Sequence, residues 1–203
     1  MIEDWQKLDP EPAARILSEI NPLLEPVPFS EEDTTLRKSA LPFYDGYELI
    51  ELTDMSAVPA ARKYAMYKPG EPVVIDWTNQ PIYDTNEKSP IALTSRNILD
   101  YVRFFFSYVR GRYGRFLIIE NVDDIRWQVE PPVQGRKVMQ EMLEPLHLVE
   151  YDVEEDVYHL EAFMMFKDSL FKTKIHVHSD GLVSMSDEEL KIEGMPVLQD
   201  SAA

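Results

Sequence analysis

The feature that most constrains the fold is a succession of four short apolar runs near the C-terminus, separated by turn residues. Apolar and polar side chains alternate in these runs, which is the period of strands with one buried face. The last separator is Asp180-Gly181, and Asp-Gly between alternating runs is the strongest short hairpin signal in a sequence. The pattern predicts antiparallel strands over residues 146–153, 157–167, 170–178 and 182–185.

A second β-rich segment lies between residues 41 and 93, where proline and glycine turns separate β-branched and aromatic runs. The turn Lys68-Pro69-Gly70-Glu71 joins two of these runs, so we expect a hairpin there. We also expect both β-rich segments to form one antiparallel sheet. The runs of this segment are residues 47–52, 62–68, 73–77 and 82–83.

The most regular segment is a predicted helix over residues 95–110. Its polar positions recur every three or four residues and form one narrow stripe, while aromatic and aliphatic residues occupy the rest of its circumference. A helix of this kind is enclosed by other elements. We therefore predict an α+β fold in which the antiparallel sheet packs around this long, aromatic-rich amphipathic helix. The stripe consists of Arg96, Asp100, Arg103, Ser107 and Arg110.

The start of the chain is predicted to be a helical N-terminal arm. Pro10 suits the first position of one helix, and Ser30 suits the cap of a second helix that reaches about Lys38. The predicted division is an arm over residues 1–40, a single α+β domain over residues 41–193 and a frayed tail over residues 194–203.

The chain is strongly acidic, with 20 lysines and arginines against 37 aspartates and glutamates and a formal charge of −17. This field repels phosphate backbones and anionic membranes, so we expect neither generic nucleic acid nor membranes as partners. It suits either a basic protein partner or plain solubility, and the latter is the more common reason for such a charge. The first residues, from Met1 to Trp5, contain two acids and no basic and apolar leader, so we expect a cytoplasmic protein. The absence of cysteine excludes disulfides, thiolate metal sites and cysteine nucleophiles.

The arginines of the helix stripe are one candidate binding site. Arg96, Arg103 and Arg110 form the main basic concentration of the chain, together with Arg112 and Arg115 just beyond them. They can hold an anion or an acidic peptide. The alternative, which we favour, is a solvated face on which the arginines pair with nearby carboxylates. Stacking on nucleic-acid bases is not expected, because helical geometry directs the aromatic rings away from the arginines.

Histidines of the last predicted strands are a second candidate site. If residues 168–169 form the turn of their hairpin, Glu161 pairs with His176. The same register pairs His159 with His178, and all four side chains then share one face of the sheet. Three imidazoles and a carboxylate are ligands that zinc accepts. The alternative is an exposed face with ordinary cross-strand pairs beside two lysines, whose charges oppose a bound dication. We favour this alternative and predict no cofactor and no tightly bound metal.

The segment His176-Val177-His178 resembles the His-x-His strand motif of metal-dependent hydrolases of the amidohydrolase type and of the polymerase-and-histidinol-phosphatase family. In those barrel enzymes the motif opens the domain, and further histidine and acidic ligands follow over a long stretch of chain. Here only a short tail follows, so the resemblance is confined to this segment.

No standard catalytic or nucleotide-binding signature occurs in the sequence. The leading hypothesis is therefore a non-enzymatic intracellular interaction or regulatory protein that presents an acidic surface to a partner. A metal-binding module or metal-dependent hydrolase at the histidines is one alternative. A small-ligand binder is another, with a site that involves Asp76, Trp77 and Asp84.

Overall fold

The computed structural model of this protein describes residues 4–24 and 28–198. Its helices and antiparallel sheets establish the α+β class that the sequence predicts. The chain divides into two compact units, Met1–Ala92 and Leu93–Ala203. Each unit contains its own five-stranded sheet, so the prediction of one sheet for both β-rich segments is wrong. Each segment supplies enough strands and apolar residues to build a core without the other.

The first unit is an antiparallel meander with two helices. The strands lie across the sheet in chain order, and the three central strands pair with each other over seven residues. In chain order its elements are β1 (Gln6–Lys7), α1 (Pro10–Ile20), β2 (Thr34–Ala40), β3 (Glu48–Asp54), β4 (Ala61–Tyr67), β5 (Val73–Val74) and α2 (Gln80–Lys88).

One face of the first sheet packs against α1. Ile16, Leu17 and Ile20 are buried, and their spacing places them on one side of the helix. They belong to the same apolar cluster as Leu36 on β2 and Ile50 on β3. Burial of this stripe accounts for a helix at the position that Pro10 predicts.

The predicted helix over residues 30–38 is wrong, because a turn at residues 31–33 leads there into β2. Thr34 and Thr35 are β-branched and favour a strand, and Leu36 is 1% exposed within the core. The predicted arm therefore contributes two strands, β1 and β2, to the first sheet. Residues 1–3 and 25–27 of the predicted arm lie outside the described residues.

Residues 82–83, predicted as a strand, lie instead in α2, where Pro81 is near the helix start.

The second unit has a five-stranded sheet and two helices. In chain order its elements are α3 (Ile98–Tyr108), β6 (Phe116–Ile118), α4 (Val133–Met142), β7 (His147–Asp152), β8 (Val157–Phe166), β9 (Ser169–His178) and β10 (Val183–Ile192). The strands lie in the order β10-β9-β8-β6, and β7 also pairs with β8. One edge of β8 is therefore shared by β6 and β7, which pair with different halves of it.

The aromatic helix is shorter than predicted, with 11 residues in α3. The side chain of Asn97 accepts the backbone N–H of Thr94, 2.7 Å away, so residues 95–97 form a turn before the helix begins. Val109 has an extended backbone and ends the helix. Tyr101 and Phe104 are completely buried, so the aromatic surface of the helix is enclosed as the sequence predicts. The sheet does not surround α3, which contacts β6 and β7.

The C-terminal segment packs against the second unit as far as the structure describes it. Met195 and Val197 are buried in a cluster with Phe163 and Met165 of β8. Val197 also forms a β-bridge with Trp127. The prediction of a frayed tail is therefore wrong for residues 194–198, because their apolar side chains cover this face of the sheet. Residues 199–203 lie outside the described residues.

Candidate functional site

The candidate site is one face of the second sheet, which we call the histidine face. It is organised by the β8–β9 hairpin, whose two-residue turn is Lys167-Asp168 and not residues 168–169. Lys167 adopts a left-handed backbone with φ of 56°. His159 therefore pairs with His176, in place of the predicted partner His178. A shift of two residues keeps every side chain on its predicted face, because strand side chains alternate with a period of two.

The two paired histidines are in direct contact. The Nδ1 atoms of His159 and His176 are 2.7 Å apart, and the rings meet edge to face with centroids separated by 4.9 Å. The other nitrogen of His176, Nε2, is 2.7 Å from the Oγ atom of Ser186 on β10. Burial, reinforced by the neighbouring imidazole of His159, lowers the pKa of His176. A continuous hydrogen-bonded chain of Ser186, His176 and His159 results.

The four predicted metal ligands are not assembled into one site. Glu161 lies opposite Lys174, and its carboxylate is 3.2 Å from the Lys172 ammonium. His178 pairs with Val157 at the end of the hairpin. Within the described residues, no group of three or more histidine, aspartate or glutamate side chains is placed to hold a metal ion. The predicted quartet is dispersed by the register and by the lysine that binds Glu161.

Next to the histidine face, the sheet ends in an acidic region. Residues 138–166 contain eight acidic side chains and no lysine or arginine. The β7–β8 turn contacts the β9–β10 turn, because the backbone and side chain of Ser179 both donate hydrogen bonds to Asp156. Tyr151 donates a further hydrogen bond to Asp156. These bonds lower the pKa of Asp156 and raise the pKa of Tyr151 to about 12, so the carboxylate stays charged near neutral pH.

Exposed apolar side chains lie among these acids. Val153 at the tip of the β7–β8 turn is 76% exposed, and Val149 on β7 is 54% exposed. Leu182 in the neighbouring turn is 46% exposed. Among the described strands β7 pairs with β8 alone, which leaves its other edge without a partner strand. We call this region the acidic edge: strand β7 with the two turns, including Glu150, Glu154 and Glu155.

The three candidate arginines do not form one site. Arg103 is on α3, whereas Arg96 precedes the helix and Arg110 follows it. The Arg103 guanidinium donates two hydrogen bonds to Glu120, at 3.1 and 2.8 Å. Burial raises the pKa of Glu120, but the hydrogen bond and charge of Arg103 outweigh burial and lower it. Arg103 therefore anchors the segment that follows β6 to α3, which agrees with the carboxylate-paired alternative.

The predicted ligand-site residues of the first unit have local structural partners. Asp76 accepts hydrogen bonds from the backbone and hydroxyl of Thr78, at 2.9 and 2.7 Å. Asp84 accepts one from Gln80, at 2.6 Å. Trp77 has an unusual φ of 69° and meets the ring of Tyr64 edge to face. The structure places Asp76 and Trp77 just before α2 and Asp84 within it.

Sequence reasoning missed Ser186 and the buried carboxylate Glu51. Glu51 is 4% exposed and accepts two hydrogen bonds from Arg37 and one from Tyr64, at 2.8, 2.5 and 3.1 Å. The roles of both missed residues depend on which strands become neighbours. A partial signal was present in the opposite charges on β2 and β3, but it could be read only once these strands were known to pair.

No protein-family model matches this chain, and the searches found no similar curated protein or solved structure. Within the described residues, no helix has the length and apolar character needed to cross a membrane. The geometry of the site is therefore the basis of the functional proposal.

Proposed function

We propose that this protein is an interaction or regulatory protein that binds a basic, extended segment of a partner protein along the acidic edge. The observation that carries this proposal is the exposed edge of β7, bordered by carboxylates that have no cationic partner among the described residues and by exposed apolar side chains. Basic peptides with apolar residues at alternate positions complement such an edge in charge, hydrogen bonding and side-chain spacing.

The negative charge of the acidic edge favours a positively charged partner segment. The ammonium groups of Lys172 and Lys174 are already 3.0 and 2.8 Å from Glu144 and Asp187. Glu150, Glu154 and Glu155 have no ion pair with any described residue. Their field attracts lysine and arginine side chains and speeds encounter with a basic segment. The same field opposes phosphate backbones and anionic membranes.

The edge of β7 that has no partner strand favours a partner segment in an extended conformation. An extended peptide that adds to this edge satisfies its exposed N–H and C=O groups with main-chain hydrogen bonds. Glu150 on the edge opposes pairing with the same strand of a second copy, since like charges then meet. The edge therefore favours a basic strand over self-association.

The apolar contribution comes from Val149 and Val153. Both are more than half exposed, and side chains of an added peptide can cover them. An interface that combines an apolar centre with a charged rim has the anatomy expected of transient protein contacts. This combination distinguishes the acidic edge from a surface whose charge serves solubility alone.

The test is a fluorescence anisotropy titration with a labelled peptide of alternating lysine and valine. We expect binding that weakens as salt increases, and protection of the β7 amides from hydrogen exchange in the complex. The triple variant Glu150→Gln, Glu154→Gln and Glu155→Gln should lose about tenfold or more in affinity, at roughly 0.5 kcal/mol per charge.

The matched control is Glu31→Gln, Glu32→Gln and Glu87→Gln, which removes the same charge from exposed positions of the first unit. Equal losses in the two triple variants would show that net charge, not the acidic edge, attracts the peptide. Failure of the wild-type protein to bind would contradict the proposal, as would binding without protection of β7.

A further inference from the structure

The hydrogen-bonded chain on the histidine face has the arrangement of an activated nucleophile. A serine becomes nucleophilic when an imidazole within hydrogen-bonding distance can take its proton and a third group orients that imidazole. Ser186, His176 and His159 occupy these three positions, with two consecutive contacts of 2.7 Å. We propose that Ser186 is a reactive serine, activated by His176 and positioned through His159, that accepts acyl groups from small activated esters.

The order of the groups follows from the atoms in contact. His176 uses Nε2 toward the hydroxyl of Ser186 and Nδ1 toward His159. When His176 takes the serine proton on Nε2, its Nδ1–H can donate to the unprotonated Nδ1 of His159. His159 is thus a positioning residue: it holds the ring of His176 and stabilises the imidazolium that forms. Glu150 is the cross-strand partner of His159 and adds a negative charge on that side.

The backbone around Ser186 is unusual for a strand. The pairing of β10 with β9 skips from Ser186 to Glu189, so Asp187 and Glu188 have no partner residue on β9. Asp187 adopts a left-handed φ of 54°. The hydroxyl of Thr173 donates to the carbonyl of Ser186 at 2.9 Å and holds the residue at the start of this bulge.

The bulge leaves backbone groups that can serve an acyl transfer. Asp187 and Glu188 have no partner residue on β9, so we assign their amides as the donors to the oxyanion, the role that amides after a nucleophile have in other serine sites. The carboxylate of Asp187 would oppose that charge, but the Lys174 ammonium lies 2.8 Å from it. Bulges often re-aim a side chain next to an active site.

The reaction balances without any other component. The Oγ atom of Ser186 attacks the carbonyl carbon of an ester, and its proton passes to Nε2 of His176. The carbon–oxygen bond to the leaving group breaks, and the leaving alcohol or phenol takes the proton from His176. The products are an acyl-serine and a free alcohol. Ser186 and both histidines are partly exposed, so the site suits small electrophiles that need no deep pocket.

The test is labelling of the full chain with a fluorophosphonate, followed by intact mass measurement and peptide mapping. The serine oxygen bonds phosphorus, its proton passes to Nε2 of His176 and then to solvent, and the phosphorus–fluorine bond breaks to release fluoride. We expect one adduct per chain, on Ser186, and none in Ser186→Ala. Ser184→Ala is the matched control: Ser184 is on the same strand and face and lies opposite His176 in the register, but the hydroxyl in the hydrogen bond to Nε2 of His176 is that of Ser186. It should label at the wild-type rate.

Two further sets of variants test the roles of the histidines. His176→Gln should slow labelling about 100-fold or more, which is the usual contribution of a general base. His159→Asn retains a hydrogen-bond acceptor and should label faster than His159→Leu, although both variants lose the same ring. Thermal unfolding of each variant checks that the sheet remains folded.

Labelling that persists in Ser186→Ala, or a wild-type protein that does not label, would overturn the proposal. Equal labelling rates in wild type and His176→Gln would overturn it as well. These outcomes are independent of peptide binding at the acidic edge, which the anisotropy titration measures separately.

Discussion

At the scale of single residues, the protein is organised by charged groups that are satisfied in pairs. Arg103 anchors Glu120, and Arg37 anchors the buried Glu51. Such pairs contribute little when exposed and become costly when one member is removed from a buried site. The aromatic side chains of α3 contribute differently, because their burial removes apolar surface from water.

Phe105 and Arg103 lie on the same helix and separate these two effects. Phe105 is 6% exposed, so Phe105→Ala should lower the free energy of unfolding by about 3–5 kcal/mol. Arg103→Ala should lower it by about 1–2 kcal/mol, because water can reach the partly exposed Glu120 and the Leu146 amide still donates to it. Urea unfolding at neutral pH measures both free energies. Equal losses in the two variants would contradict the distinction between a buried aromatic side chain and a partly exposed ion pair.

The cost of Arg103→Ala should also depend on pH. The pKa of Glu120 is lowered in the folded protein, so its stabilising contribution is present above the ordinary pKa of 4.5 and is lost as the pH falls through the lower folded value. The difference in the free energy of unfolding between wild type and Arg103→Ala should therefore shrink in acid. The corresponding difference for Phe105→Ala should not shrink in the same way, since Phe105 has no charge.

At the scale of elements, the β8–β9 hairpin shows how a short turn decides a site. The turn residue Lys167 has a left-handed backbone, which costs a lysine about 1–2 kcal/mol and glycine almost nothing. This turn brings His159 opposite His176 and leaves His178 opposite Val157. A different turn in the same hairpin would give a different set of neighbours on the histidine face.

Glycine substitutions can identify the turn in solution. Lys167→Gly should stabilise the protein by about 0.5–1 kcal/mol, because relief of backbone strain exceeds the added entropy of the unfolded chain. Asp168→Gly should destabilise it by about 0.4–1 kcal/mol, because Asp168 has no such strain to relieve. Thermal unfolding compares them, and the opposite order would favour the turn at residues 168–169.

At the scale of the whole molecule, the dominant property is negative charge. Acidic residues outnumber basic ones in both units, and the formal charge is −17. A charge of this size governs which macromolecules can approach, although it says little about the fold. It also means that any basic region must be local, and the arginines near α3 are partly neutralised by carboxylates such as Glu120.

We therefore predict that the protein does not bind generic duplex DNA at physiological salt, because its field opposes the phosphate backbone. An anisotropy titration with a labelled duplex should show no change up to micromolar protein. Sub-micromolar binding that weakens with added salt would contradict this prediction and would indicate a segregated basic surface.

The properties that sequence determined by itself are those that depend on local periodicity. Alternation along β8 and β9 predicted which side chains share a face, and the three-to-four spacing around Phe104 predicted an enclosed aromatic helix. These predictions hold because side-chain direction repeats with the period of the backbone. The charge and the absence of cysteine likewise need no structure.

Tertiary structure decided everything that depends on the choice of neighbours. Residues 34–38 have the pattern of a capped helix, yet burial of Leu36 between α1 and β3 makes them a strand. The contact of His176 with His159 required the Lys167 turn, and its contact with Ser186 required the pairing of β9 with β10. The division into two sheets required that each β-rich segment bury its own core. Strand pairing and burial are long-range properties, because their energy comes from residues far apart in the chain, and a local pattern cannot select among them.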